Sequence, residues 1–402
     1  MLKLSDATQK SRYLIIVVLF LMVMCTVTGM INRARKAPIT PVTLSESRTF
    51  GDLPPIKISE LNYVYKDNLN FELNTISGRL PVDEYPITYI YKFSEPVQSL
   101  TAKEDAGKLA KELGYFKVPQ VTDARHYKWS SLLGTRILQY DSLSKEVSIQ
   151  TDLNKDPYLK QDHEVLANTD IYKEQFKSFL SGLPGTRFPA DYAEGNSTVE
   201  YLIFKNNKFE RTIDASSLAD FFEINLFRQV PISPTVADTT ATTATKTTTT
   251  QIGGLDISNG LNLNSKEVKE NLDYAPVFND DPFKANIRAI IAGDRIVVSN
   301  IVEFNMNVHE INYEEVGAYK IITYEEAYNK LIKGDGNLVY ISDFDSNKAK
   351  KATKFSINNA KLGYFEGAQF QQFIQPIYIF SGIMTFADES RADFYFYIPA
   401  IK

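Results

Sequence analysis

The sequence predicts an α+β fold: an N-terminal transmembrane helix followed by antiparallel sheets with short helices packed on one face. Three observations lead there. Residues Tyr13 to Ile31 form a nineteen-residue run without a charge, flanked by Lys10 and Arg12 before it and by Arg33, Arg35 and Lys36 after it. Two short amphipathic stretches with helix start and stop signals stand among runs of alternating apolar residues. The 402-residue chain is 44% hydrophobic and 12% aromatic, which is enough apolar material for one or two packed cores.

The apolar run comes first. At about 1.5 Å of rise per residue it spans roughly the 30 Å hydrocarbon core. It is longer than the apolar region of a cleaved leader, and "TVTGMINRARK" is a poor cleavage site. The expected layout is therefore a cytoplasmic tail at residues 1–12, a transmembrane helix at 13–31 and a membrane-proximal linker at 32–55. A long chain after a first anchor is usually translocated, so the bulk is expected outside the cytoplasm of a bacterial cell membrane. Cys25, the single cysteine, lies within the run, so no intramolecular disulfide is possible. Net charge is −5, and because residues 1–36 hold six cations and one acid, the rest carries −10. Such a surface repels nucleic acid.

A first α+β module is expected at 56–230. "PITYIYKFSE" reads as a strand; "TAKEDAGKLAKELGYF" follows as a helix, with Thr101 and Glu104 in capping-box spacing and Gly114 as a left-handed stop. Ala106, Leu109, Ala110 and Leu113 fall on one face of it. "RHYKWSSL" and "TRILQYDSLSKEVSIQTD" read as antiparallel strands, and Tyr172, Phe176, Phe179, Leu180 and Leu183 mark a second helix ending near Gly185. "STVEYLIFKNNKFERTID" is a hairpin turning at Asn206 and Asn207.

Residues 231–265 contain "TTATTATKTTTT", too poor in apolar area to offset the entropy of ordering, and read as a linker or insertion. A second module is expected at 266–402. In it "NIRAIIAGDRIVVSN" forms a hairpin at Gly293 and Asp294, and Val302, Phe304, Met306 and Val308 alternate with a wet face of Glu303, Asn305, Asn307 and His309. "TYEEAYNKLIKGDG" brings a capping box at Thr323 and Glu326 and a stop at Gly334. "INNAKLGYFE", "QPIYIFSGIMTF" and "ADFYFYIPAI" read as three strands. Whether the two modules share a sheet or stand apart is left open by the sequence.

"ITYEEAYNKLIKGDG" followed by "AKLGYFEGAQFQQFIQPIYIFSG" resembles the PepSY-like modules of the YycH and YycI family. Glu326 and Ala327 match the helix register of that family, Leu362, Gly363 and Tyr364 its first strand, and Pro376 with Tyr378 its second, where Trp is commoner than Tyr. The resemblance covers roughly 80 residues. It implies a bacterial, extracytoplasmic, noncatalytic regulator anchored by one helix and contacting a membrane-bound sensor kinase.

Chemistry finds little support. His126, His163 and His309 are far apart and lack H-E-x-x-H or Cys/His spacing, and each reads as an ordinary surface or internally satisfied histidine. No G-x-S-x-G elbow and no phosphate loop occur. Asp280 with Asp281, and Asp343 with Asp345, read as solvated loop acids rather than a dyad or calcium loop. No catalytic, metal or cofactor site is expected. Between Lys361 and Gly382, rings and amides dominate; a helix covers one sheet face only, so Tyr364, Phe365, Gln369, Gln372, Gln375 and Tyr378 are the expected protein-contact residues. The function this supports is a membrane-anchored, noncatalytic regulatory protein acting through contacts with a membrane or envelope protein, the alternative being a structural or assembly factor of a bacterial envelope machine.

Overall fold

The computed structural model describes residues 45–63, 70–159, 163–165, 168–186, 188–212, 219–233, 273–342, 344 and 350–402. Among these residues eighteen strands build two nine-stranded sheets. Sheet A contains β1 (Phe71–Leu73), β2 (Ile87–Phe93), β10 (Gln229–Ser233), β11 (Asp273–Phe278), β14 (Ile311–Lys320), β15 (Asn337–Ile341), β16 (Ala352–Phe365), β17 (Phe373–Phe386) and β18 (Arg391–Pro399). Sheet B runs in the order β3 (Gln120–Val121), β4 (His126–Ser130), β5 (Arg136–Asp141), β6 (Val147–Thr151), β13 (Ile301–Met306), β12 (Ile287–Ala292), β9 (Phe221–Leu226), β7 (Ser197–Lys205) and β8 (Lys208–Thr212). The described helices are short: α1 (Ala102–Glu112), α2 (Thr169–Ser181), α3 (Ala190–Ala193) and α4 (Tyr324–Ile332).

The α+β expectation is corrected by this arrangement. Strands dominate because several bury both faces: every residue of β9 is buried, as are the first eight of β17. Such strands read as continuous apolar runs and need cover on both sides. Sheet A is also mixed, since β1 and β11 both pair parallel to β16. The single-pass membrane description is corrected likewise. Among the described residues no helix is long and apolar enough to cross a membrane, and Tyr13 to Ile31 lie outside them. Most of the Thr-rich stretch, 234–265, lies outside them too.

The expected boundary at 231–265 does not separate the sheets. β1 and β2 join sheet A with the C-terminal strands, while β12 and β13 sit in the middle of sheet B. The chain crosses between sheets at β2 to β3, β9 to β10, β11 to β12 and β13 to β14, and residues 44–233 and 272–402 together form one compact unit.

Locally, several signals act as read. Asn206 and Asn207 turn the β7–β8 hairpin with φ of 51° and 62°, the paired left-handed conformation of a two-residue turn. In α4 both bonds of the Thr323–Glu326 capping box form. In α1 the four expected apolar residues are buried, but Thr101 does not cap: its hydroxyl donates to Asp105 Oδ2 at 2.7 Å instead. The wet face expected for β13 ends early, because Asn307 and His309 are buried. The stretches that carry the family resemblance do pack together, with Leu362 opposite Tyr378, Tyr364 opposite Pro376, and the rings of Tyr324 and Tyr378 4.6 Å apart.

Tyr378 is held on both counts, by ring packing and by its hydroxyl donating to the Ile322 carbonyl at 2.5 Å. Tyr378→Phe is expected to cost about 1–3 kcal/mol through the orphaned carbonyl. Tyr378→Ala should cost about 3–5 kcal/mol, read as a lowered urea midpoint with an unchanged slope.

Candidate functional site

Four of the six expected contact residues are internal. Tyr364 donates its hydroxyl to the Tyr89 carbonyl at 2.6 Å, Phe365 and Tyr378 are packed in sheet A, and Gln375 donates its amide to the Pro54 carbonyl at 2.9 Å. Their assignment to a contact surface is therefore corrected: Gly363 to Phe365 of β16 and Phe373 to Phe380 of β17 are buried on both faces. Gln369 and Gln372 are exposed, on the connection between β16 and β17 beside the exposed ring of Phe370. The backbone carbonyl of Gln372 accepts the Phe93 N–H at 2.9 Å, so this connection is tied to the end of β2.

The one acid of that stretch, Glu366, organises the most unusual part of the molecule. Arg228 follows β9 at the point where the chain leaves sheet B for sheet A, and its side chain is fully buried. Its Nη1 donates to Glu366 Oε2 at 3.0 Å and its Nη2 to the carbonyl of His309 at 2.6 Å. The guanidinium lies over the ring of Tyr192, 4.6 Å from its centroid, and the Tyr192 hydroxyl donates to the same Glu366 oxygen at 3.1 Å. The other Glu366 oxygen accepts the backbone N–H of His309 at 3.1 Å. Asp191, one residue before Tyr192 in α3, places Oδ2 3.0 Å from Arg228 Nε, an ionic contact that lacks hydrogen-bond alignment.

Electrostatics follow from this geometry. Burial alone raises the Glu366 carboxyl, but Arg228 and the His309 hydrogen bonds outweigh it and hold the group below its ordinary range. Burial and the Glu366 charge push the Tyr192 phenol far up, so it remains a donor. For Arg228 burial opposes the charge, and Glu366, Tyr192 and Asp191 overcome it. A buried charge set of this kind persists only when each ion is paired and hydrogen-bonded.

A cleft of about 550 Å³, which shares Asp191 and His309 with the cluster, lies between residues 94–97 after β2, the 143–145 turn, Pro189 to Asp191, and Met306 to Tyr313. Its wall is shaped by a bulge in β14: Asn312 pairs with Lys92 and Val316 with Tyr91, leaving residues 313–315 as extra. Bulges re-aim side chains in this way. Tyr313 thereby packs against the Tyr91 ring at 5.2 Å and donates its hydroxyl to Asp191 Oδ2 at 2.8 Å. Of two other cavities, one of about 340 Å³ around His126 holds a nearly buried acid, Asp141, that is paired with Arg125 at 2.6 Å, and one of about 650 Å³ lies beside α2.

Of the histidines, only His309 reaches the site, with its ring between Phe93 and Phe370 at 5.4 and 5.3 Å. His126 pairs with Asp123 on the surface. Among the described residues no group of three or more His, Cys, Asp or Glu side chains is placed to hold a metal ion. Asp280 clamps loops, accepting from the Ser59 and Ala368 backbones; Asp343 and Asp345 lie outside the described residues. Arg228 and Asp191 escaped the sequence reading. The available signal was a lone cation in "FFEINLFRQVPI", amid residues too apolar to leave it in water.

No family model matches the chain, and no curated protein matches it. Among solved structures it is similar to an uncharacterized protein from Eubacterium rectale, at 10% identity and a TM-score of 0.35, over 79% of this chain and 83% of that one.

Removing one member of the cluster strands the others. Arg228→Ala should destabilise by about 3–5 kcal/mol, as a drop in the urea midpoint. For Glu366 the sign with pH is fixed: a carboxyl whose folded pKa lies below its unfolded value adds stability that is complete above about pH 4.3 and disappears as pH falls through the lower folded value. Glu366→Gln should therefore flatten the decline of unfolding free energy between about pH 5 and 3 relative to the parent; an unchanged slope would contradict this reading of the cluster.

Proposed function

We propose that this protein is a noncatalytic binding protein of regulatory character that takes a segment of a protein partner into the cleft between its two sheets. The observation that carries this reading is a cleft of about 550 Å³ with apolar walls and one polar side, where Asp191, His309 and Tyr313 back onto the buried Arg228–Glu366 pair. Pro96, Val97, Pro189, Met306, Val308 and Ile311 supply the walls, and the volume suits a few side chains. Pre-formed walls lower the ordering cost of association. The guanidinium, Glu366 and the two phenols of the adjoining cluster are spent within it, which favours recognition over turnover.

A structural or assembly role has its own observation. Phe116, Val118, Leu132 and Leu133 are all more than 70% exposed, and Lys117 Nζ ties the two loops by donating to the Ser131 and Leu132 carbonyls. An exposed apolar end of this sort suits repeated contacts within an assembly.

Photo-crosslinkers placed separately at Val97 and Leu133 separate the two readings, since both positions are exposed and neither substitution disturbs a core. A discrete adduct from position 97, absent from 133, is expected in cells. Adducts from 133 alone would move the contact to the apolar end and overturn the cleft reading.

A further inference from the structure

Resting on the cleft as the binding site, we infer that it recognises a cationic group on an apolar stem: the ammonium of a lysine or the guanidinium of an arginine in the bound segment. The charge count of the cluster that Asp191 shares with the cleft points there. One guanidinium, Arg228, faces two carboxylates, Glu366 and Asp191, and of these Glu366 takes the better-formed bonds. Asp191 is left under-satisfied. Its Oδ2 has the misaligned Arg228 Nε and the Tyr313 hydroxyl, and its Oδ1 has no hydrogen-bond partner although the side chain is nine-tenths buried and lines the cleft.

A buried carboxylate oxygen without a donor is costly, and a charge-assisted bond to it is among the stronger polar contacts. Glu95 and Glu310 line the same cleft against a single cation, Lys145, so an approaching ligand meets an acidic rim. Tyr313 completes the arrangement. The residue is 44% exposed, its hydroxyl covers Asp191, and burial followed by the Asp191 charge pushes its phenol up, so it stays a neutral donor. Turning that hydroxyl aside opens the carboxylate to the cation and presents an aromatic face beside it. Met306 and Val308 receive the stem, as apolar walls do for the methylenes of long cationic side chains.

Dansylcadaverine, a primary ammonium on a five-carbon stem with an apolar fluorophore, serves as the probe, and N-pentyl dansylamide, which lacks the amine, is the neutral comparator. Fluorescence titration of the full chain should show dansylcadaverine binding at least about tenfold tighter, the value of one charge-assisted bond. The preference should fall in Asp191→Asn, and both ligands should weaken in Val97→Trp, which fills the mouth from an exposed position. Tyr313→Phe, which leaves Arg228 untouched, should keep or increase the preference and serves if Asp191→Asn does not fold. Equal affinities that still depend on Val97 would overturn the cation assignment and leave the cleft standing. A preference that survives both Asp191→Asn and Val97→Trp, or no saturable binding of dansylcadaverine, would overturn the assignment; in the former case the ligand would sit elsewhere.

Discussion

A single guanidinium ties the two sheets. Arg228 stands where the chain leaves β9 for β10, and it reaches the carbonyl of His309, at the crossing from β13 to β14, and the carboxylate of Glu366, at the end of β16. Asn286, on the β11 to β12 crossing, adds an amide bond to the Glu366 carbonyl at 3.3 Å. Three of the four crossings thus meet at one polar knot. Irregular backbone buried there requires partners for its N–H and C=O groups, and the knot provides them. Such a knot contributes less to net stability than well-packed apolar residues of equal volume would. Its effect is on specificity, since a slipped strand would bury an unpaired charge.

The same constraint explains the cleft. Asp191 and Tyr192 occupy a four-residue helix too short to stand alone, and they are held by Arg228 from one side and by Tyr313 from the other. Gly195 allows that seat. A Cβ there would fall 1.9 Å from the Phe227 carbonyl, one residue before Arg228, so no larger residue lets the helix approach. The polar side is stiff because the cluster behind it is ionic and crowded; the walls come from loops and turns, where recognition residues are usually carried.

Legibility in the sequence divides along a physical line. Signals closed within a few residues act as read: the Asn206–Asn207 turn, the Thr323–Glu326 box, the buried stripe of α1. Thr101 shows the limit even there, because Asp105 competes for its hydroxyl. Long-range features were not legible. Nothing local tells β2 to pair with β14 more than two hundred residues later, or β12 to insert beside β9, and the interleaving of the sheets follows from those pairings. The ring-and-amide stretch misled for a related reason. Tyr364 and Tyr378 look amphipathic in sequence, but their stretches of β16 and β17 are buried on both faces and their hydroxyls are spent on backbone carbonyls. Glu366, the residue in that stretch with the least company, was the informative one.

The claim that the Arg228 knot makes both sheets one cooperative structure is tested most directly by native-state hydrogen exchange at graded urea, comparing amides of β17 in sheet A with those of β12 in sheet B. Their opening free energies should converge on one value, the global one. If sheet B opened at a clearly lower free energy while sheet A remained protected, the two sheets would be separate folding units and the knot a local contact.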